Sequence, residues 1–272
     1  QTLSASSSIS GAGDVYLGDG GVYATDTMGG LYNVTGNTYI LFGNVDFTGP
    51  VLSVGQSLTL GVSAGTVDFH GGSLTLPNLN VAGGNLRSGD VDVTGRLNWQ
   101  GGLIGGTGTL TVENNSLTAL DLWLHNPTGQ GGTTLYLDGK TLLNRGQALL
   151  DADATTSYLD VVLLNGAIFS NAGTAVVNVE SAGSLRMYPV DGLGGHVVNT
   201  GTMTVSSAAG GGLECYNDAF NNSGLVAVLS GAVHLYGGGT SSGAFTVAAG
   251  STLVLDGTHN LTATSSISGA GD

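Results

Sequence analysis

An Asn-x-Gly tripeptide recurs four times in the second half of the 272-residue chain, at spacings of 27, 28 and 23 along the sequence. Each copy follows apolar residues and precedes a run with apolar residues at alternate positions, which is typical of β-strands. Glycine and asparagine tolerate the left-handed backbone of tight corners, and stacked asparagine side chains can hydrogen-bond to one another. The sequence therefore predicts structural turns at Asn144, Asn171, Asn199 and Asn222.

The first half has looser versions of this pattern, with Gly-Gly pairs before alternating segments such as Ser73–Leu76. No segment of ten or more residues holds the 3.6-residue period of a helix. A period of about 20–28 residues with two or three short strands indicates a β-solenoid, whose coils bury their inner faces by stacking. Because parallel crossovers are strongly right-handed, we expect an all-β fold, a right-handed parallel β-helix.

The segment Leu3–Asp14 (LSASSSISGAGD) returns as Leu261–Asp272 (LTATSSISGAGD), with ten of twelve residues identical at an offset of 258. A first segment that is repeated at the end of the chain is typical of a tandem array rather than of a globular enzyme. We therefore interpret 1–258 as one long repeat unit forming a single continuous solenoid, and 259–272 as the start of the next copy. No signal-peptide pattern is present at Gln1, and we expect the chain to be a segment of something longer.

The charge balance excludes several classes of function. Lys and Arg number 5 against 19 Asp and Glu, for a net charge of −14, whereas nucleic-acid binding needs a basic surface. No stretch approaches the ~18 apolar residues of a membrane helix, so we expect neither a nucleic-acid partner nor a membrane span. Cys215 is the only cysteine, so its thiol is either a small buried side chain or a reactive group.

Two pairs of acidic residues are the candidates for a metal site. Asp14 and Asp19 lie in a glycine-rich segment that superficially resembles calcium-binding repeats but lacks their nonapeptide period. Asp151 and Asp153 lack the glycine and distal glutamate of an EF-hand. We expect no cofactor, with calcium at these positions as the alternative to surface solvation. The five histidines show no metal-ligand spacing.

Four tyrosines near the start of the chain, Tyr16, Tyr23, Tyr32 and Tyr39, follow one another at spacings of 7, 9 and 7. They form either an exposed stripe that contacts glycans or another surface, or a locally wider part of the core. A polysaccharide enzyme would need clustered carboxylates, often beside Arg or Lys. The sequence shows no such cluster, although coils can bring distant residues together, and we expect no catalytic residues.

The segment Asn221–Asp272, the YNVTG motif at Tyr32–Gly36 and the Asn-x-Gly turns resemble the very large β-strand-repeat surface proteins of bacteria. In style these are similar to autotransporter passengers and filamentous-haemagglutinin-like adhesins. The resemblance implies secretion, a β-solenoid and a role in adhesion or in a fibre at the cell surface. Our hypothesis is a structural module that stacks on copies of itself. The alternatives are an adhesin that binds glycans and, third, a β-helical polysaccharide-degrading enzyme.

Overall fold

The computed structural model describes residues 1–18, 24–116, 120–125, 132–152, 158–179, 184–207 and 211–272. These residues form thirty-two short β-strands and no helix, and strands make up 64%. The strand pairs are all parallel, and each pair joins neighbouring coils. The chain is thus a parallel β-solenoid of about ten turns, which confirms the predicted fold class.

Each coil contributes to three ladders, which we name faces A, B and C in chain order. Face A contains β2 (Ser8–Gly11), β5 (Leu31–Val34), β7 (Val51–Val54), the first parts of β9 (Leu74–Val81) and β11 (Val91–Trp99), β13 (Thr109–Val112), β16 (Thr141–Asn144), β19 (Ile168–Asn171), β22 (His196–Asn199), β25 (Ala219–Asn222), β28 (Gly239–Ser241) and β31 (His259–Leu261).

Face B follows face A along the chain. It contains β3 (Val15–Leu17), the first parts of β6 (Asn37–Asp46) and β8 (Ser57–Asp68), the second parts of β9 and β11, β14 (Leu122–His125), β17 (Gln147–Ala152), β20 (Thr174–Val179), β23 (Thr202–Ser207), β26 (Leu225–Val228), β29 (Ala244–Val247) and β32 (Ser266–Gly269).

Face C completes each coil. It contains β1 (Thr2–Leu3), β4 (Thr25–Met28), the second parts of β6 and β8, β10 (Asn85–Ser88), β12 (Gly102–Gly106), β15 (Thr133–Asp138), β18 (Tyr158–Leu164), β21 (Ser184–Tyr188), β24 (Gly212–Cys215), β27 (Ala232–Leu235) and β30 (Thr252–Leu255).

Coil length varies more than the sequence predicts. Val91 pairs with Leu110, nineteen residues later, whereas Leu103 pairs with Tyr136, thirty-three residues later. The long coil exceeds the predicted range because the connections from β13 to β14 and from β14 to β15 are nine and seven residues long. Strand pairing continues past these connections, and among the described strands it is interrupted on face A, where β7 does not pair with β9.

The core is a narrow apolar column filled by alternate residues of each strand. In β11, for example, Val91, Val93, Leu97 and Trp99 are all fully buried, as a period of two requires. Most core residues are Leu and Val, and the buried aromatic side chains, such as Tyr32, Trp99 and Phe220, are spread along the column. Stacking coils therefore buries an inner face that no single coil could bury alone.

Candidate functional site

The four turn asparagines occupy equivalent positions, each as the last residue of a face A strand. Nδ2 of Asn144 donates to Oδ1 of Asn171 at 2.8 Å, Asn171 to Asn199 at 2.8 Å, and Asn199 to Asn222 at 2.9 Å. All four side chains are buried, with exposures of 0–1%. We call this continuous interior row of amides the asparagine ladder.

The turns after these asparagines repeat one geometry. The main-chain carbonyl of Asn171 accepts hydrogen bonds from the amides of Thr200 and Gly201 in the next coil, at 2.8 and 3.0 Å. A Cβ atom on Gly201 would lie 2.0 Å from the carbonyl oxygen of Gly173 below it. Glycine is therefore needed here because stacked turns touch, rather than because the backbone is left-handed.

The asparagine ladder has two defined ends. Asn144 follows Val112 in the face A register, and Asn222 is followed by Ser241. Oδ1 of Asn144, the acceptor at the first end, is buried and has no hydrogen-bond partner among the described residues. Because the ladder is closed to solvent, its amides bond to one another and to main-chain carbonyls, such as that of Leu225 at 3.0 Å from Asn199.

The tyrosine stripe is divided between the surface and the core. The Tyr16 and Tyr39 rings point outward on face B and stack with centroids 4.8 Å apart, and Tyr16 is 63% exposed. Tyr32 is 1% exposed, bonds to Thr38 at 2.8 Å and packs edge-on against Phe47. Tyr32 is therefore a core side chain, the second of the two alternatives, and the expectation of an exposed glycan contact fails for this residue. Tyr23 lies outside the described residues.

The calcium candidates do not converge in the described part of the chain. Oδ1 of Asp14 accepts hydrogen bonds from the main-chain and side-chain amides of Asn37, both at 2.9 Å. Asp151 lies on β17, in another coil, and Asp19 and Asp153 lie outside the described residues. No group of three or more His, Cys, Asp or Glu side chains within the described ranges could hold a metal ion.

A row of charged side chains runs across the outside of face C. Asp160, Arg186, Glu214 and His234 are neighbours on successive strands β18, β21, β24 and β27. Arg186 donates to both carboxylate oxygens of Asp160, from Nε at 2.6 Å and from Nη2 at 2.8 Å. Its guanidinium also lies 4.0 Å from the centre of the Tyr158 ring. Opposite charges on adjacent strands stabilise the ladder.

Tyrosines form a second row beside these charges. Tyr188, Tyr216 and Tyr236 each end or follow a face C strand, and the rings of the last two stack 4.7 Å apart. Burial and a bond to Asp160 raise the pKa of Tyr188 to about 12. A bond to Glu214, with burial, raises the pKa of Tyr216 to about 12. We call the two rows together the face C row.

The face C row places two carboxylates on one surface. Asp160 and Glu214 are two strands apart, which corresponds to about 10 Å, with Arg186 between them. Asp160 is 3% exposed, and its oxygens accept bonds from Arg186 and from the Tyr188 hydroxyl at 2.9 Å. A general acid or base must reach the substrate, and Asp160 in this arrangement is covered by its own partners.

Three ionisable side chains are buried at coil corners or in the core. Nζ of Lys140 donates to the carbonyl oxygens of Ser88, Gly89 and Thr107, and burial lowers its pKa to about 8. Asp218 is fully buried, and burial raises its pKa to about 7. Burial also raises the pKa of the Cys215 thiol, so this cysteine is a small core side chain rather than a reactive group.

Sequence reasoning found the asparagine ladder and missed the face C row. The ladder is marked by a local tripeptide, whereas Asp160, Arg186 and Glu214 lie in three different coils and share no motif. Only the strand pairing between coils of unequal length brings these three residues together. The tyrosines at 188, 216 and 236 follow the same register, and their spacings could have indicated a row.

No protein-family model matches the chain, and no curated protein or solved structure matches it either. Within the described ranges, no helix has the length and apolar character needed to cross a membrane. The solenoid architecture thus rests on the strand pairing of the chain itself.

Proposed function

We propose that this chain is a structural repeat module of a bacterial extracellular fibre or giant surface protein. In this proposal, units stack end to end through the same inter-coil β hydrogen bonds that join coils within a unit. The observation that carries it is the restated segment Leu261–Asp272, which forms a strand, a turn and a strand like those of Leu3–Asp14.

The interior of the solenoid supports a mechanical role. Neighbouring coils are joined by strand pairing on three faces, except between β7 and β9 on face A, and the asparagine ladder adds a row of buried side-chain bonds along the same axis. Extracellular placement is supported by the resemblance to bacterial β-strand-repeat surface proteins.

Electron microscopy of chains with one, two and three units tests this function. Each added unit would repeat 15–272 after Asp272, so that the offset between successive copies is kept. Ten turns at about 4.8 Å per coil correspond to about 50 Å per unit. We expect unbranched rods whose length grows by that amount with each unit. Separate globular bodies joined by irregular chain would contradict the proposal.

An adhesin that binds glycans is the second candidate, and the face C row is the feature that favours it. Tyrosine rings beside carboxylate, guanidinium and imidazole groups offer the mixture of apolar and hydrogen-bonding contacts that ligand sites use. The His234 ring contacts Tyr236 through a 2.7 Å hydrogen bond, and both side chains are only partly buried.

A glycan array distinguishes this candidate from a purely structural role. If the face C row binds glycans, Tyr236→Ala should remove binding, whereas Tyr16→Ala, on face B, should retain it. Binding that both variants retain would exclude the face C row as the glycan site. Circular dichroism of both variants checks that the solenoid still forms.

A further inference from the structure

The two copies of the repeated segment occupy different faces of the solenoid. Strand β2, with the sequence SISG, pairs with β5 in the separate three-stranded ladder β2-β5-β7 on face A. Strand β32 has the same sequence but pairs with β29 on face B. Likewise β1 lies on face C and β31 on face A. The second copy is therefore displaced by one face.

This displacement follows from the arrangement of the coils. The face B ladder runs without interruption from β3, through β6, β8, β9, β11 and every later face B strand, to β32. The sequence equivalent of β32 is β2, which precedes β3 along the chain by one face. The repeat unit thus contains a whole number of turns plus one face.

The structure also shows which strands pair with β1 and β2, the equivalents of β31 and β32 in the first copy. There β4 pairs with β1, joining Thr27 to Thr2, and β5 pairs with β2, joining Leu31 to Ser8. In the last coil, none of the described strands covers β31 and β32, and Leu261 and Ile267 are 46% and 50% exposed. Identical strands present the same backbone and nearly the same side chains to a partner.

An open apolar pocket lies beside these strands, with Val247, Leu253, Leu255 and Ile267 in its wall. Continuation of the chain past Asp272 by the repeat would bring in Val15–Leu17 next. Strand β3 would then lie on β30, so that apolar residues of β3 meet Leu253 and Leu255. In the first copy, Val15 is only partly buried and is paired on one side alone, by Thr38.

We propose that β30, β31 and β32 form a docking surface for β3, β4 and β5 of a following copy of this chain, turned by one third of a turn. This inference rests on the proposed function, because it specifies how stacked units join. Two of the three junction pairings repeat β1–β4 and β2–β5. Surface features such as the face C row move to the next face in each copy and return to the same face in every third copy.

Cysteine pairs in a two-unit chain test the rotation. Val254 points outward on β30, next to His234 of the preceding coil, and Tyr16 points outward on β3. Val254→Cys in the first unit with Tyr16→Cys in the second should form a disulfide, because neighbouring strands lie within the Cα separation that disulfides need. The buried Cys215 should not compete.

A second cysteine pair tests for a junction without rotation. If units joined without rotation, β3 of the second unit would displace β32 and lie on β29, and Thr246→Cys would link to the same Tyr16→Cys. We expect no link there. The pair His234→Cys and Val254→Cys within one unit is the positive control for an outward pair on face C.

The outcomes separate the inference from the proposed function. A link from Val254, with none from Thr246, supports the rotated junction. A link from Thr246, or no link from either residue, overturns it, although rods that still lengthen with each unit would leave the structural function standing. Two separate bodies in electron micrographs of the same chain would overturn the proposed function as well.

Discussion

The corner between faces A and B is built in two ways in the two halves of the chain. In the first half the corner position holds Leu76, Val93 and Val112, all fully buried and in register. In the second half the same register position holds the asparagine ladder. One fold therefore accommodates either an apolar column or a polar row at the same place.

The two solutions shape the backbone differently. At Leu76 and Val93, β9 and β11 run on from face A to face B, and β11 takes up the bend in a register shift between Val93 and Arg96, whereas β13 ends at Val112. With asparagine, each strand ends and a two-residue turn follows. A buried amide must be paired. Within the row each asparagine amide donates to the asparagine of the next coil, and at the last position Asn222 donates to the main-chain carbonyl of Ala244.

The largest expected effect comes from placing asparagine in the apolar half. Val93→Asn loses buried apolar area and leaves an amide without a partner, for a cost of about 4 kcal/mol in the free energy of unfolding. Val112→Asn should cost about 2 kcal/mol less, because its amide can donate to the unpaired Oδ1 of Asn144. Denaturant titration measures both, and equal costs would contradict the pairing role of the ladder.

The next effect comes from interrupting the ladder. Asn171→Ala removes the side-chain acceptor of the Asn144 amide, which keeps only longer bonds to main-chain carbonyls, and leaves Oδ1 of Asn199 without its donor from the ladder, at a cost of about 3 kcal/mol. Asn221→Ala, on the outward side of the face A strand β25, loses only an exposed bond from the main-chain amide of Thr240. This matched control should cost under about 1 kcal/mol. Urea unfolding that gives the same loss for both variants would show that the ladder is not cooperative.

The second half also carries the buried carboxyl of Asp218 at the corner between faces C and A. Burial raises its pKa from 3.8 to about 7, so the folded state binds the proton more tightly than the unfolded state. Its contribution is therefore complete below about pH 4 and is lost as the pH rises to about 7. Between pH 5 and pH 7 the loss should be about 2 kcal/mol.

Asp218→Asn isolates this titration from that of other groups. The amide oxygen can still accept the Gly195 main-chain hydrogen bond, which measures 3.0 Å in the native chain. Thermal unfolding at several pH values should show a smaller loss of stability between pH 5 and pH 7 in the variant than in the native chain. If the stability of the two proteins fell equally between pH 5 and pH 7, the assignment of this pH dependence to Asp218 would be contradicted.

The smallest effect is expected at the first end of the ladder. Asn144→Val extends the apolar column by one coil and removes a buried oxygen that has no partner among the described residues. It also removes one ladder bond, so the two effects largely offset, and the change should be within about 1 kcal/mol. A loss as large as that of Asn171→Ala would show that the boundary between the halves is not at Asn144.

The sequence was sufficient for the solenoid and its turn asparagines because both are local signals. Alternation and the Asn-x-Gly tripeptide are visible within a few residues, and each asparagine lies at the end of a face A strand. The direction of Tyr32 was not predictable in this way. Tyr32 lies in a four-residue strand where both faces carry large side chains, and only the pairing with Ile9 and Val51 fixes its side.

The strand pairing was needed to find which residues from different coils lie side by side. The long connections before and after β14 lengthen one coil to thirty-three residues, so counting a fixed period from the first copy of the repeated segment to the second loses the face. Only the pairing of β32 with β29 gives the one-face displacement. Asp160, Arg186 and Glu214 follow one another at ordinary coil spacings but share no local motif, so only the strand pairing identifies them as neighbours. The offset between the two copies gives the length of the unit, but the strand pairing gives its rotation.

Cryo-electron microscopy of a three-unit chain is the sharpest test of whether consecutive units fuse into one solenoid. We predict a single unbroken rod of about 150 Å, with coils continuous through both junctions and the face C row turned by one third of a turn in each unit. Three separate bodies linked by irregular chain, or a break in the coils at each restated segment, would show that the units do not fuse.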